Sequence, residues 1–302
     1  MALQPRISEQ YRYGVTSDRI GNVKAISDDV NETAASGRKL KRISDDPVGT
    51  IRVLRNRNRI SNLDQYRKTL DFGRGYLSKT EDALSSIYNS LIRAKELGIQ
   101  QSNSTYDEPS HKAVAAEVRQ ILNHVIILGN TSYSDKYVFG GFQTTQPPIS
   151  PDGHYLGDDG IIFVQVDEDS FRPINVNGRE IFDVPAEFDG KRPPLVSILQ
   201  NMYESLFSWD RDKLHQSMVD LDSIMNSVVT MTASLGARRV SLEDVSERLD
   251  RGESQLHNDN NNIEGADMVK SALDLKRTES AVNFTLQATS KMLTPSLLEF
   301  LK

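Results

Sequence analysis

The hydrophobic positions of this chain form two long ladders, separated by a stretch with a different rhythm. Leu214, Leu221, Val228, Leu235, Leu242, Leu249, Leu256 and Ile263 recur at every seventh residue. Met218 and Met225 occupy the step four residues on, and Thr232, Arg239, Ser246, Glu253 and Asn260 continue that step with polar types. Seven residues are close to two helical turns, so the ladder predicts one narrow apolar seam along a helix of roughly 70 Å. A helix of that length needs partners of similar length. Leu63, Leu70, Leu77, Leu84 and Leu91, flanked by Ile60, Ile87 and Ala94, provide a second ladder. The pattern predicts a mainly α fold: an elongated antiparallel helical bundle or coiled coil with one small inserted β domain.

Caps and breakers place the boundaries. From Ile7 to Leu40 the seam is thin, with Val23, Ile26, Val30, Gly37 and Leu40 at helical spacing, too sparse to fold alone. Ser44-Asp45-Asp46-Pro47 supplies N-cap types and a first-turn proline, which starts a helix at about Pro47 and carries it to about Gln101, with Gly73 and Gly75 as weak points. After a loop at 103–109, Val114, Val118, Ile121, Leu122, Val125 and Leu128 predict a third helix, stopped by Gly129-Asn130.

The period then shortens. Tyr137–Phe142, Ile161–Val166, Phe171–Val176 and Glu180–Val184 read as strands, punctuated by Pro-Asp-Gly153, Gly-Asp-Asp-Gly160 and Asn-Val-Asn-Gly178. Lys191–Pro194 ends this insert. Leu195, Ile198, Leu199, Met202 and Leu206 resume helix, and Asp210 caps the long ladder. The polar run His257–Asn262 marks a joint, and Met268, Ala272, Leu275, Val282, Leu286 and Leu293 make a last thin seam before Pro295. The predicted domains are terminal helical segments 1–45 plus 258–302, disordered until assembly, a long bundle 46–136 plus 191–257, and a β-rich outer domain 137–190.

Composition narrows the chemistry. The chain is polar, 37% hydrophobic with one tryptophan among 302 residues, which suits narrow seams better than a thick core. It has no cysteine, so disulfides and thiolate chemistry are excluded. The five histidines show no ligand spacing, and there is no phosphate-loop or dinucleotide glycine pattern. Asp158-Asp159 and Asp167-Glu168-Asp169 lie in hairpin turns without calcium-loop spacing and read as solvated acidic turns. No catalytic constellation emerges; the expectation is a non-enzymatic protein with no cofactor. Met1–Ser8 lacks the apolar core of a secretory signal, and no apolar run approaches a membrane span. The expectation is a soluble chain that does not use the general secretory route.

Charge is unevenly spread. Residues 38–68 hold ten Lys/Arg against three Asp, whereas 151–190 hold ten Asp/Glu against two Arg. The basic run could follow nucleic-acid phosphates, but residues 14–65 contain no aromatic ring for stacking, and the net charge of −6 gives no global pull towards polyanions. A solvated face, or one meeting acidic neighbours in an assembly, is the favoured reading, with neither nucleic acid nor membrane as partner. The two thin ends keep their seams for some thirty residues each. Such ends suit segments that order by pairing with each other and with neighbouring subunits.

Those ends carry a family resemblance. Ser36-Gly-Arg-Lys-Leu-Lys-Arg-Ile-Ser-Asp-Asp-Pro-Val-Gly49 resembles the N-terminal signature of bacterial flagellins, and Leu91–Ser104 resembles the flagellin helix used in lateral packing. Ser234-Leu-Gly-Ala-Arg238, Asn262-Ile-Glu-Gly-Ala-Asp267 and the apolar tail resemble the C-terminal half of the family. Gly129–Thr144, with its Tyr-Val-Phe-Gly-Gly-Phe core, together with Tyr155–Gly160 and Val176–Phe182, is similar to the hook–filament junction members. The resemblance implies a structural adaptor of the extracellular flagellum, exported through the flagellar type III channel. Its implied partners are further copies of itself in a ring, the first junction protein, flagellin, and an export chaperone at the C-terminal segment. The alternative within the family is a short flagellin that forms the filament itself. By matching position, Arg93, Glu96, Leu97, Gln100 and Asn103 would lie at lateral contacts. Met268, Ala272, Leu275, Val282 and Leu286 would pair with Val23, Ile26, Val30 and Leu40.

Overall fold

The computed structural model describes residues 9–102, 108–183 and 193–293. Among them, seven helices are α1 (Glu9–Ser36), α2 (Pro47–Ser102), α3 (Glu108–Gly129), α4 (Arg179–Phe182), α5 (Leu195–Ser208), α6 (Arg211–Glu264) and α7 (Met268–Leu293). Four strands, β1 (Ser132–Tyr133), β2 (Lys136–Tyr137), β3 (Phe163–Asp167) and β4 (Ser170–Pro173), form two antiparallel pairs. The chain is therefore mainly α, with a helical bundle and a small β insert. It divides into a central unit, 61–252, and a terminal unit, 1–60 with 253–302.

In the central unit both ladders are buried. Leu70, Leu77, Leu84 and Leu91 of α2, and Leu214, Leu221, Val228, Leu235 and Leu242 of α6, are at most 1% exposed. The second rung of α6 departs from expectation. Ser217, Ile224, Met231 and Val245, three positions after Leu214, Leu221, Val228 and Leu242, are buried, whereas Met218, Met225, Thr232 and Ser246 are half-buried; after Leu235, Arg238 is half-buried and Arg239 exposed. On α2 the same three-residue step is filled by Gly73, Thr80, Ile87 and Ala94. Ion pairs flank the seam: Arg67 with Asp250 at 2.7 Å, Arg74 with Glu243 at 3.8 Å, Glu81 with Arg239 at 3.0 Å, and Lys95 with Asp222. As numbers rise on α2 they fall on α6, so the helices run antiparallel. Exposed pairs of this kind stabilise weakly, each roughly 0–1 kcal/mol, and chiefly fix register.

Helix α3 packs along α5. Arg119 lies over the Tyr203 ring and Lys112 over Phe207, and the buried His111 stacks on Trp209 with 3.4 Å between ring centres. Trp209 closes α5 in a left-handed conformation, with φ of 57°. Gly129 ends α3 as expected. Asn130 then pairs with the Ile149 backbone in both directions, donating at 2.8 Å and accepting at 2.9 Å.

The insert differs from expectation in two places. Tyr137 closes a hairpin rather than opening a longer strand: Ser134 and Asp135 both have positive φ, as a two-residue type I′ turn requires. The stretch predicted as a strand from Glu180 forms the single helical turn α4 instead, which buries Ile181 and Phe182. Val184 lies outside the described residues, as do 103–107 of the loop predicted at 103–109, the terminator Lys191-Arg192 and the apolar tail from Thr294; Glu108 and Pro109, the end of that predicted loop, instead open α3. The hairpin β3–β4 forms as read, with Val164 and Val166 inward and a bulge between Gln165 and Asp167.

In the terminal unit α1 packs on α7. Gly37, at φ of +67°, lies next to Met268, while Ile20, Val23 and Ser27 face Val282, Thr285 and Leu286, so this pair is also antiparallel. Gly37 turns the chain: Lys39 N donates to Glu264 O and Ala266 N to Gly37 O, both at 2.8 Å. Asp46 caps α2, accepting from Gly49 N at 2.8 Å, with Pro47 in the first turn where its missing N–H leaves no gap. The polar run 257–262 does not interrupt the helix; α6 continues to Glu264. Asn260 is buried there, accepting from Asn56 at 2.9 Å, and Glu264 meets Arg57 at 2.6 Å.

Candidate assembly surfaces

The terminal pair offers one surface. Its seam is thin: Val23, Val30, Leu40, Leu275 and Val282 are half-buried, and Ile26, Met268, Ala272 and Leu286 are exposed. Val23, Val282 and Leu286 line a common groove of about 480 Å³. Hydroxyls fill much of the remaining seam, and they bond within their own helices: Thr33 to Asp29 O, Thr278 to Asp274 O, and Thr285 to Ala281 O. Large apolar groups face outward from the same helices, among them Val269, Leu273 and Phe284, the last 71% exposed. A pair this lightly sealed retains apolar area that other helices could cover.

A second surface lies on α2 of the central unit. Arg93 binds Glu117 of α3 at 2.8 Å and reaches Glu96 at 3.5 Å; the two carboxylates hold its guanidinium above its ordinary pKa. Glu96 and Gln100 are exposed, together with Ile92 and Ile99, in one helical stripe. Leu97 points the other way and is 2% exposed, so it holds the stripe in place from the core side. Asn103 lies outside the described residues.

The insert is anchored to the bundle by a set of directional bonds. The Tyr76 hydroxyl of α2 donates towards the carbonyls of Tyr137 and Val138, each at 3.2 Å, and burial raises its pKa. The Tyr155 hydroxyl donates to Phe139 O at 2.6 Å, and burial raises its pKa as well. Arg238 of α6, within the Ser-Leu-Gly-Ala-Arg motif, donates to Asn175 O, and partial burial lowers its pKa. Asn175 in turn accepts from Ile162 N and donates to Gly160 O. Asp158 accepts from Phe142 N at 2.7 Å and Gly160 N at 2.8 Å, so part of the acidic turn serves the backbone, while Asp159 meets Arg179 at 2.8 Å. Sequence reasoning missed Tyr76 and Arg238, because their partners lie some sixty residues away.

Paired helical ends, an exposed stripe on α2 and a pinned β insert characterise a protein of long helices with one small β insert. Residues 7–144 match the bacterial flagellin N-terminal helical region. The chain is 25% identical over 259 residues to flagellar hook-associated protein 3 of Escherichia coli, covering 80% of this chain and 82% of that protein. It is 24% identical over 262 residues to a flagellin of Halalkalibacterium halodurans, covering 87% and 85%. A putative flagellar hook-associated protein from Vibrio parahaemolyticus shares the fold, with a TM-score of 0.67 at 17% identity over 73% of this chain and all of that one. The chain is similar over most of its length to flagellar hook-associated protein 3, and over residues 7–144 to the flagellin N-terminal helical region.

Proposed function

We propose that the chain is a structural adaptor of the bacterial flagellum, placed outside the cell at the hook–filament junction and without enzymatic activity. The observation that carries this reading is the extent of its similarity to hook-associated protein 3, which covers 80% of this chain and 82% of that protein. Its working partners are copies of itself in a ring, the first junction protein on the hook side and flagellin on the filament side. The chain leaves the cell through the flagellar type III channel, with an export chaperone holding the C-terminal segment.

In this reading segments 1–45 and 258–302 complete their folding on assembly, when the exposed Ile26, Met268, Leu273 and Phe284 are covered. Arg93, Glu96, Gln100 and Asn103 meet a lateral neighbour, and Leu97 supports them from beneath. A second reading, a short flagellin forming the filament, is favoured by the 87% of the chain that aligns with a flagellin.

Electron microscopy of cells lacking the gene, with an assay of flagellin in the medium, separates the two. The expected result is bare hooks with abundant secreted flagellin. Absent filaments with no filament protein in the medium would identify the chain as the flagellin, and normal filaments would overturn both readings.

A further inference from the structure

The first turns of α2 carry an apolar stripe in a cationic frame. Val48, Ile51 and Leu54, one helical face, and Ile43 just before them are each half-exposed or more. Arg38, Arg42, Arg52 and Arg55 are exposed around them, whereas Lys41 meets Asp29 and Glu32, and Arg57 meets Glu264. A cavity of about 180 Å³ opens within this surface, lined by Leu40, Ile43, Val53, Leu54, Arg38 and Arg42.

The β insert carries the opposite surface. The register of β3 and β4 sets Phe163 opposite Pro173 and Gln165 opposite Phe171, so Phe163 and Phe171 share the outward face. Ile161 follows the same alternation, and the Phe142 ring lies against Gly160 beside it. All four side chains are half-exposed or more. Glu168 and Asp169, exposed in the hairpin turn next to Phe171, give this apolar cluster an acidic edge. Grouped large apolar side chains on a surface mark an interaction site.

We propose that these two surfaces dock on each other between copies: the insert of one copy seats its phenylalanines on the start of α2 of a second, with carboxylates against guanidinium groups. Charge selects this pairing. Insert against insert opposes acid to acid, and α2 start against α2 start opposes cation to cation; only the unlike combination attracts. The contact is heterologous, using different patches on the two copies, so it links copy to copy in a directional series. It rests on the reading that copies of this chain adjoin one another.

The cysteine-free chain permits a direct test. Full-length Ile51→Cys and Phe171→Cys variants are mixed at low salt with copper–phenanthroline, which takes two electrons and two protons from the two thiols as the disulfide forms. One cysteine per copy means that only contacts between copies register. The mixed dimer is expected about tenfold above either variant alone, by analogy with electrostatically selected partners. It should fall severalfold at about 1 M salt, where the screening length is about 3 Å.

Arg42→Glu, Arg52→Glu and Arg55→Glu together on the first variant should abolish the dimer, and Glu168→Lys with Asp169→Lys on its partner should restore it. The Val48→Cys and Phe163→Cys pair should behave alike, and circular dichroism verifies that each variant folds. Absence of the mixed dimer from folded variants of both pairs overturns the docking, as does a dimer indifferent to salt and charge reversal. Neither result touches the deletion phenotype, so failure here is distinct from failure of the junction reading.

Discussion

At Gly75 helix α2 and the β1–β2 hairpin approach so closely that a Cβ would overlap the Tyr133 hydroxyl, and a Cβ at Gly73 would sit 3.0 Å from Ile174 Cγ2. Gly75→Ala is expected to destabilise the central unit by about 1–3 kcal/mol despite its better helix propensity. Tyr133→Phe in the same chain should recover part of that loss, and urea unfolding of the two single variants and the double variant measures the coupling. From sequence these glycines are only weak points in a long helix, because propensity is local and the groups they admit, Tyr133 at Gly75 and Ile174 at Gly73, lie far along the chain. The Asp46-Pro47 start was legible, since a cap and the turn it caps are adjacent. Asn260 was not: its polarity suggested a joint, and the partner that lets it stay buried in a helix is Asn56.

Among elements, the ladders were legible because a seven-residue repeat leaves few alternatives. The phase of their second rung was not, because steps of three and four both fit such a repeat and Met218 and Met225 are as apolar as Ile224. Burial decides it: Ile224 is fully buried and Met225 is not. Ile224→Ala should therefore cost about 2–5 kcal/mol, and Met225→Ala about 1 kcal/mol, in denaturant unfolding followed by circular dichroism. Equal losses would argue against the observed phase. The turn α4 shows the limit of short runs. Ile181 and Phe182 are buried, but four residues carry no period that separates a strand from a helical turn.

Over the whole molecule, burial is concentrated in the central unit, while the terminal pair has a thin seam. The single tryptophan, Trp209, belongs to the central unit, where it stacks on His111. Circular dichroism follows the helices of both units. On heating, ellipticity is expected to fall in an early phase that Trp209 fluorescence does not register, followed by a transition common to both signals; fully coincident curves would refute independent loosening of the ends. The hydroxyl-rich seam between α1 and α7 has one more consequence. Thr33, Thr278 and Thr285 already donate to carbonyls of their own helices, so parting the helices leaves these three groups satisfied. The apolar contacts beside them, such as Val23 against Val282 and Leu286, carry no direction either. Parting or sliding the two helices therefore costs their apolar contact and leaves those three bonds intact. At these three positions the seam is built as a re-closable zip rather than a lock.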